Sequence, residues 1–297
     1  MSLNRGCIGR TFAYPESDAY EVSRELIRKF ADAIGDPDPL YRDPAAARAR
    51  GYADVLAPPT FLNLIPYARV NPFDSPEIGM HKSQGLHAEH RFIHHRPLRA
   101  GDRVVLRTTV AGIREAGAHE ILDLTGEART RDGELLSTIH HVALFRGESK
   151  GEPRRPPPPV PPSPMSFDEA RYPTRRYLVQ QLDLIRYAGA AGEYEPIHWS
   201  ERAARAAGLP GVIAHGMFTM AKTAQALTSW FGNPGAVAEF GVRFARPLVV
   251  RELDPILLSI ALTGLIREQD DLLRVHLDVR TGEKQILTKA SALIRSH

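Results

Sequence analysis

The sequence predicts an α+β protein built from two similar halves, each an antiparallel sheet wrapped around a central helix. Three observations lead to this prediction: a proline-rich segment divides the chain, the two halves resemble each other, and both order their predicted elements in the same way. The 297 residues are also about twice the size of a common domain, so two domains are expected.

The proline-rich segment spans residues 147–164 and reads GESKGEPRRPPPPVPPSP. This composition favours an extended polyproline conformation that acts as a semi-rigid spacer. A ligand for a proline-recognition domain is the alternative interpretation. We therefore predict an N-terminal domain over residues 1–146, a linker over 147–164 and a C-terminal domain over 165–297.

The internal repeat is clearest between Phe30–Phe61 and Tyr187–Phe218, which align without a gap at a shift of 157 positions. Glycine and proline recur at the same places in both stretches, and these residues mark specific backbone turns. The matched pairs include Gly35 with Gly192, Pro39 with Pro196, and Gly51 with Gly208. We interpret the pattern as the duplication of a whole domain.

The predicted helices of the second half follow from caps and helical spacing. Asp183 is predicted to N-cap a short helix that ends at Ala191, and Ser200 to cap another over Glu201–Ala207. The longer segment Gly216–Phe231 is apolar over most of its faces, as expected of a buried helix.

Strand-like runs follow the helical region in both halves, and glycine-containing turns at Thr281-Gly282 and Asp132-Gly133 separate neighbouring runs as hairpins would. An apolar helix needs a curved sheet to bury it, and the sheet needs a filling for its concave face. The predicted strands are Leu86–His94, Arg103–Ile113, Glu120–Arg131 and Leu135–Phe145 in the first half, and Ala238–Phe244, Pro255–Arg267, Leu272–Arg280 and Gln285–Ile294 in the second.

Charge and cysteine content narrow the function classes. The net charge is only +3 and the charges are interspersed, which gives nucleic-acid binding little support. The single cysteine, Cys7, excludes an internal disulfide framework and a multi-cysteine metal site. Residues 1–15 lack the apolar core of a signal peptide, and no run approaches the ~20 apolar residues of a membrane span, so a cytoplasmic protein is expected.

Three residues of the second half combine into a candidate catalytic site. His198 can transfer protons near neutral pH, and Glu193, five residues before it, can orient the imidazole or help to activate a water molecule. Gly216 begins the long helix, where free backbone N–H groups can stabilise a developing oxyanion. A turn histidine beside a solvated glutamate is the alternative interpretation of this spacing.

The amino-acid sequence of this region resembles the signature of the MaoC-like family of R-specific enoyl hydratases. That signature is Y-A-x-x-S-G-D-x-N-P-I-H followed by A-H-G-M, and residues 187–198 read YAGAAGEYEPIH, with AHGM at 214–217. The resemblance places His198 on the catalytic histidine, Glu193 on the catalytic aspartate and Gly216 on the glycine whose amide binds the thioester carbonyl.

The resemblance covers most of both halves and implies a double hot-dog fold whose halves pair as a pseudo-dimer. It implies reversible hydration of trans-2-enoyl thioesters to (3R)-3-hydroxyacyl thioesters, with coenzyme A or an acyl carrier protein as part of the substrate and no separate cofactor or metal. It also allows two such chains to pair as a homodimer. The implied substrate-binding residues are Ile197, His215, Met217 and Arg243.

The first half departs from the signature at its chemical positions. Tyr41 stands where the second half has His198, and Pro58-Pro59 stand where it has His215-Gly216. Because proline has no N–H to donate, the first half lacks the oxyanion amide. Asp36 is retained, and we expect this half to shape the acyl-binding space without chemistry of its own.

The second half departs from the family too, because the family aspartate and asparagine are Glu193 and Glu195 here. A glutamate reaches about 1.5 Å further than an aspartate, and a ~1 Å displacement of a positioned group can cost ~100-fold in rate. Two other functions therefore stay open: an acyl-thioester hydrolase, and a non-catalytic acyl-binding accessory protein.

Histidines crowd two further segments of the first half, with His81, His87, His90, His94 and His95 in one and His140-His141 in the other. Strand alternation places neighbouring residues on opposite faces, and it is also expected to separate His87 from His90. We therefore predict structural or solvated histidines and no metal site.

Overall fold

The computed structural model describes residues 2–13, 16–68, 71–79, 85–117, 119–146, 167–269 and 271–296. The predicted linker, residues 147–164, and His81 lie outside the described residues. The domain boundaries drawn from that linker therefore stay a prediction.

The helices begin and end close to the predicted positions, and the long helix of the second half has the predicted bounds. Gln180 rather than Asp183 is the N-cap of its helix, because the two residues form a capping box in which the Asp183 carboxylate accepts from the Gln180 N–H at 3.0 Å. The helices are α1 Arg24–Ala33, α2 Pro44–Ala49, α3 Leu64–Ala68, α4 Gln181–Ala191, α5 Glu201–Ala206 and α6 Gly216–Phe231.

All eight predicted strands are confirmed within a few residues. Three short strands were not predicted: Thr11–Ala13, Tyr20–Glu21 and Arg175–Val179. Those three have too few residues to show a period. The strands are β1 Thr11–Ala13, β2 Tyr20–Glu21, β3 Gly85–His94, β4 Arg103–Ala116, β5 His119–Thr130, β6 Leu135–Arg146, β7 Arg175–Val179, β8 Val237–Phe244, β9 Ile256–Gln269, β10 Leu272–Thr281 and β11 Lys284–Arg295.

Each half contains the predicted antiparallel sheet, and the two sheets join into one continuous antiparallel sheet. Over the described residues its order is β1-β4-β5-β6-β3-β8-β11-β10-β9-β7, with β2 also paired to β4. The halves join where β3 pairs with β8, and Phe92 faces Phe240 across that junction. Each half thus contributes one edge strand to the other, which hides two edges that would otherwise be unpaired.

Helix α6 lies in the core on nearly every side. Thirteen of its sixteen residues are buried, including the polar side chains of Lys222 and Gln225. A helix this apolar is unfavourable in water. The sheet covers one side of α6, and elements of both halves cover its other side.

The first half has only a short helix at the equivalent place. After Pro58-Pro59 come a 3₁₀ turn at Phe61–Asn63 and α3, and a new 3₁₀ turn begins at Pro72. Pro72 disfavours helical geometry at the preceding residue, which limits any extension of α3. The expected central helix is therefore much shorter in this half over the described residues.

Equivalent aromatic pairs show that the repeat extends to packing. Phe30 meets Phe61 edge-on with centroids 5.6 Å apart, and the corresponding pair Tyr187 and Phe218 has the same 5.6 Å separation. Phe30 and Tyr187 also contact each other at 5.9 Å, where α1 packs against α4. The predicted duplication is thus confirmed at the level of side-chain geometry.

Lys222 on α6 links the two halves. Its ammonium donates to the carbonyl of Ile34 at 2.8 Å and to the side chain of Gln225 at 2.5 Å, and Gln225 in turn donates to the carbonyl of Gly35 at 2.7 Å. Burial lowers the pKa of Lys222 to about 8, and the nearby carboxylate of Asp36 opposes that shift. The loop after α1 is therefore held onto the helix of the other half.

No helix in the part of the chain that the structure describes is both long and apolar enough to cross a membrane.

Lys222→Met is expected to lower the free energy of unfolding by about 1–3 kcal/mol, because it leaves the buried Ile34 carbonyl and the Gln225 side chain without their donor. Equilibrium urea unfolding measures the change. Lys284→Met, at an exposed lysine, is the matched control and should change stability by less than about 0.5 kcal/mol. Equal stabilities for the two variants would show that the Lys222 contacts contribute nothing.

Candidate active site

His198 is held in a defined tautomer. It lies in a 3₁₀ turn, Pro196–His198, and its Nδ1 donates to the carbonyl of Ile213 at 2.8 Å. Because a carbonyl only accepts, the proton sits on Nδ1 and Nε2 carries the lone pair of a base. No hydrogen bond to Nε2 is found among the described residues. Burial lowers the pKa of His198 to about 4, so the ring is neutral at physiological pH.

His215 contacts both His198 and the backbone of Glu193. Its ring stacks on His198 with centroids 3.8 Å apart, and its Nε2 donates to the backbone carbonyl of Glu193 at 3.2 Å. It is 1% exposed, and burial lowers its pKa to about 3, so this ring is also neutral. The structure therefore gives His215, predicted to bind substrate, the contacts of a positioning residue.

Glu193 directly follows Gly192, the C-cap residue of α4, which adopts the left-handed conformation (φ 74°). Its negative charge raises the pKa of Tyr187, although burial of the Tyr187 ring is the larger cause. The Tyr187 ring also packs against His215 at 5.0 Å. Glu193, His215 and His198 thus form one connected group beneath Tyr187.

Gly216 begins α6, and the chain enters the helix through His215 in an extended conformation (φ −55°, ψ 134°). Within the described residues no acceptor is found for the Gly216 N–H. A Cβ at this position would lie 3.0 Å from the ring of Phe244, so a side chain requires that ring to shift. The amide is therefore free to donate, at a helix start that favours negative charge.

The remaining predicted substrate-binding residues are Ile197, Met217 and Arg243, and each has contacts within the protein. Ile197 is half-buried and its carbonyl accepts from the Ile213 N–H at 3.2 Å, which ties the histidine turn to the segment before α6. Met217 is 2% exposed and belongs to the core. Arg243 forms an ion pair with Glu89 across the β3–β8 junction, so its guanidinium already has a carboxylate partner.

The equivalent place in the first half holds a different set of groups. Tyr41 is fully buried where the second half has His198, and Asp36 is 4% exposed with one carboxylate oxygen unpartnered. Burial raises the pKa of Asp36 to about 6. Pro58 and Pro59 supply no N–H at the helix start, as the sequence predicts.

A pocket opens beside this site, inside the first half. It lies between the sheet and the shortened helical region, and its empty space is about 540 Å³ including the open mouth. Asn63 lines it and also lies close enough to the Tyr187 hydroxyl to lower the pKa of Tyr187. Sequence reasoning missed Asn63, because it corresponds to an apolar residue, Met220, in the second half and no motif marks it.

His90 and His141 also line this pocket, and here one sequence expectation is wrong. His87 and His90 do not lie on opposite faces: their rings are 5.1 Å apart, and both contact His141. A β-bulge between His87 and Glu89 inserts one extra residue, which shifts the alternation of β3. Burial lowers the pKa of His141 to about 4, and the pKa of His90 also falls.

Two family models match successive parts of the chain. Residues 7–139 match the model of the "FAS1-like, dehydratase domain region", and residues 152–265 match the "MaoC like domain". A UPF0336 protein of Streptomyces avermitilis is 40% identical over 152 residues, which are 51% of this chain and all of that relative. A UPF0336 protein of Thermobifida fusca is 43% identical over 150 residues, 50% of this chain and 97% of that relative.

Solved structures match the whole chain. A MaoC-like dehydratase is 28% identical and covers 99% of both chains with a TM-score of 0.83. A Mycobacterium tuberculosis protein described as having a double hotdog fold is 15% identical, with a TM-score of 0.63 over 97% of this chain and 95% of that one. The second likeness supports the fold alone. The chain belongs to the family of double hot-dog proteins that pair a FAS1-like dehydratase region with a MaoC-like domain.

Proposed function

We propose that the protein catalyses the reversible hydration of trans-2-enoyl thioesters to (3R)-3-hydroxyacyl thioesters, carried on coenzyme A or an acyl carrier protein. The observation that carries this proposal is the Nδ1 bond of His198 to Ile213, which leaves Nε2 as a base and anchors the ring three residues before the helix that begins at Gly216. A base and an amide donor are the two groups that addition of water to a conjugated thioester requires.

In the hydration direction, His198 Nε2 takes a proton from water as the water oxygen bonds to C3 of the substrate. The electron pair of the C2–C3 double bond then moves towards the thioester oxygen, where the Gly216 N–H stabilises the enolate. C2 finally takes up from the same face the proton that His198 removed from the water, and Glu193 helps to hold the water and to relay this proton. The dehydration direction reverses these steps.

The neutral state of His198 suits this role. Its lowered pKa keeps the imidazole unprotonated, although a weaker base removes protons less readily. The stacked ring of His215 adds no positive charge because it is neutral as well. The site therefore depends on placement of the water between Nε2 and Glu193 rather than on a strongly basic imidazole.

In this proposal the first half binds the acyl chain and performs no chemistry. Its pocket has a mostly apolar lining, and Asn63, one of the lining residues, lies near Tyr187, whose ring packs against His215. The shortened helix region leaves the space that α6 fills in the second half. Tyr41 and Pro59 supply neither a base near neutral pH nor an amide donor.

His198→Ala is expected to lower kcat for hydration of crotonyl-CoA by about 10²–10⁴-fold, because it removes the proposed base. Loss of the enoyl-thioester absorbance measures hydration, while a thiol reagent measures hydrolysis in the same sample. His95→Ala, at an exposed histidine, is the matched control and should keep the wild-type rate. Thiol release that depends on His198 would instead indicate a thioester hydrolase. A wild-type rate equal to the uncatalysed background would indicate a non-catalytic protein, and an unchanged rate above background would remove His198 from the mechanism.

Gly216→Pro and Gly216→Ala separate the amide donor from the space around it. Both add a Cβ near Phe244, but only proline removes the N–H, and proline suits the first position of a helix after an extended residue. We expect kcat of Gly216→Pro to be about 10²–10³-fold below that of Gly216→Ala. Equal kcat values for the two variants would remove the amide from the mechanism.

The pH dependence of hydration follows from the lowered pKa of His198. The base is active when unprotonated, so kcat/KM should fall as the pH drops through about 4, well below the ~6.5 of a free imidazole. Measuring kcat/KM from pH 3.5 upwards locates this acidic fall in activity. Circular dichroism defines the pH range in which the fold is intact. A fall of kcat/KM centred near pH 6.5 would instead indicate that the active imidazole is exposed to solvent.

A further inference from the structure

The pocket of the first half contains polar groups that a plain hydrocarbon chain cannot satisfy. His90 is 3% exposed, lines the pocket, and its Nε2 has no hydrogen-bond partner among the described residues. His141 and Thr108 lie along the same wall. A buried polar atom without a partner is unfavourable, so a ligand that supplies the missing hydrogen bond is favoured over one that does not.

One ring nitrogen of each of His87, His90 and His141 lies within 4.8 Å of the others, but the orientation of the rings does not suit a metal ion. The rings of His87 and His141 are stacked, with 3° between their planes and centroids 3.9 Å apart. In-plane lone pairs of parallel rings run side by side instead of converging on one ion. In addition, His87 Nε2 is within 3.1 Å of His90 Nδ1, so these two nitrogens share a hydrogen bond.

That shared hydrogen bond restricts which group can satisfy His90. If His90 Nδ1 donates to His87, the His90 Nε2 is an acceptor; if His87 donates, the His90 Nε2 carries the proton and donates. A hydroxyl can both donate and accept, so it pairs with Nε2 in either tautomer. A keto oxygen pairs with only one of them.

We propose that His90 binds a hydroxyl group on the acyl chain, so that the enzyme selects thioesters of hydroxylated acyl chains over the plain alkyl chains of equal length. This inference names the substrate class of the proposed hydratase and therefore rests on that function. The selected hydroxyl is distinct from the one that hydration creates at C3.

The location of His90 relative to the reaction site supports this role. The ring of Phe244 lies against Gly216 on one side and against His87, at 4.6 Å, on the other. His87 then contacts His90. A chain whose thioester is held at the Gly216 amide and which enters the pocket past Asn63 therefore runs towards the histidines, and its hydroxyl meets them some carbons beyond the reacting double bond.

The experiment compares a medium-chain trans-2-enoyl-CoA with analogues that carry one hydroxyl at successive carbons beyond C4. For one isomer the wild-type kcat/KM should exceed that of the plain chain by about tenfold, the effect of one hydrogen bond to an otherwise unpartnered group. His90→Phe should abolish this ratio, and His90→Gln, which retains a hydrogen-bonding group, should keep part of it.

Two controls separate selectivity from damage to the protein. Ile139→Val shortens an apolar side chain of the same pocket and should leave the hydroxyl-to-alkyl ratio unchanged. Crotonyl-CoA carries no hydroxyl and only one carbon beyond its double bond, so its hydration should be unaffected by His90→Phe. Thermal unfolding verifies that each variant is folded.

Calorimetric binding of the corresponding saturated thioesters tests the inference independently of catalysis. A preference for the hydroxylated thioester that disappears in His90→Phe supports the inference even if crotonyl-CoA is not hydrated, in which case only the proposed function fails. No preferred isomer, or a preference that survives His90→Phe, overturns the inference. A stoichiometric metal in the purified protein that is lost in His90→Phe overturns it in favour of a metal site.

Discussion

The burial of α6 is the constraint on which the rest of the structure depends. A helix with thirteen of sixteen residues buried needs cover on all sides, and one curved sheet covers only one side of it. The loop that follows α1 in the first half supplies part of the remaining cover, through the bonds of Lys222 and Gln225 to backbone carbonyls. The start of this helix also carries the Gly216 amide, so the same packing that stabilises the fold fixes the proposed oxyanion donor.

The two halves have diverged around a shared framework. Their aromatic pairs keep the same separation, and β3 and β8 still meet as equivalent edge strands. The halves differ at the proposed oxyanion donor, since Pro58 and Pro59 of the first half lack the N–H that Gly216 has in the second. In return, the shorter helical region of the first half leaves room for a pocket. A duplicated fold can thus assign catalysis to one copy and substrate binding to the other.

Much of the fold and the catalytic group could be predicted, because local signals were strong. Alternation located the longer strands, apolar spacing located α6, and the motif around His198 identified the base and the helix-start glycine. The role of His215 was predicted incompletely, since its stacking on His198 and its bond to Glu193 join residues that are far apart in sequence. The ion pair of Arg243 with Glu89 could not be predicted either, because Glu89 lies on a strand of the other half.

By itself, the sequence determined the order of elements, the duplication and the family of the chain. These follow from periods, turns and short motifs that are local along the chain. Only the tertiary structure decided that the sheets join into one, that a bulge brings His87 and His90 to the same face, and that Asn63 and His90 line one pocket. Those features depend on strand register and on contacts between distant segments, and a single inserted residue is enough to reverse the face on which a side chain lies.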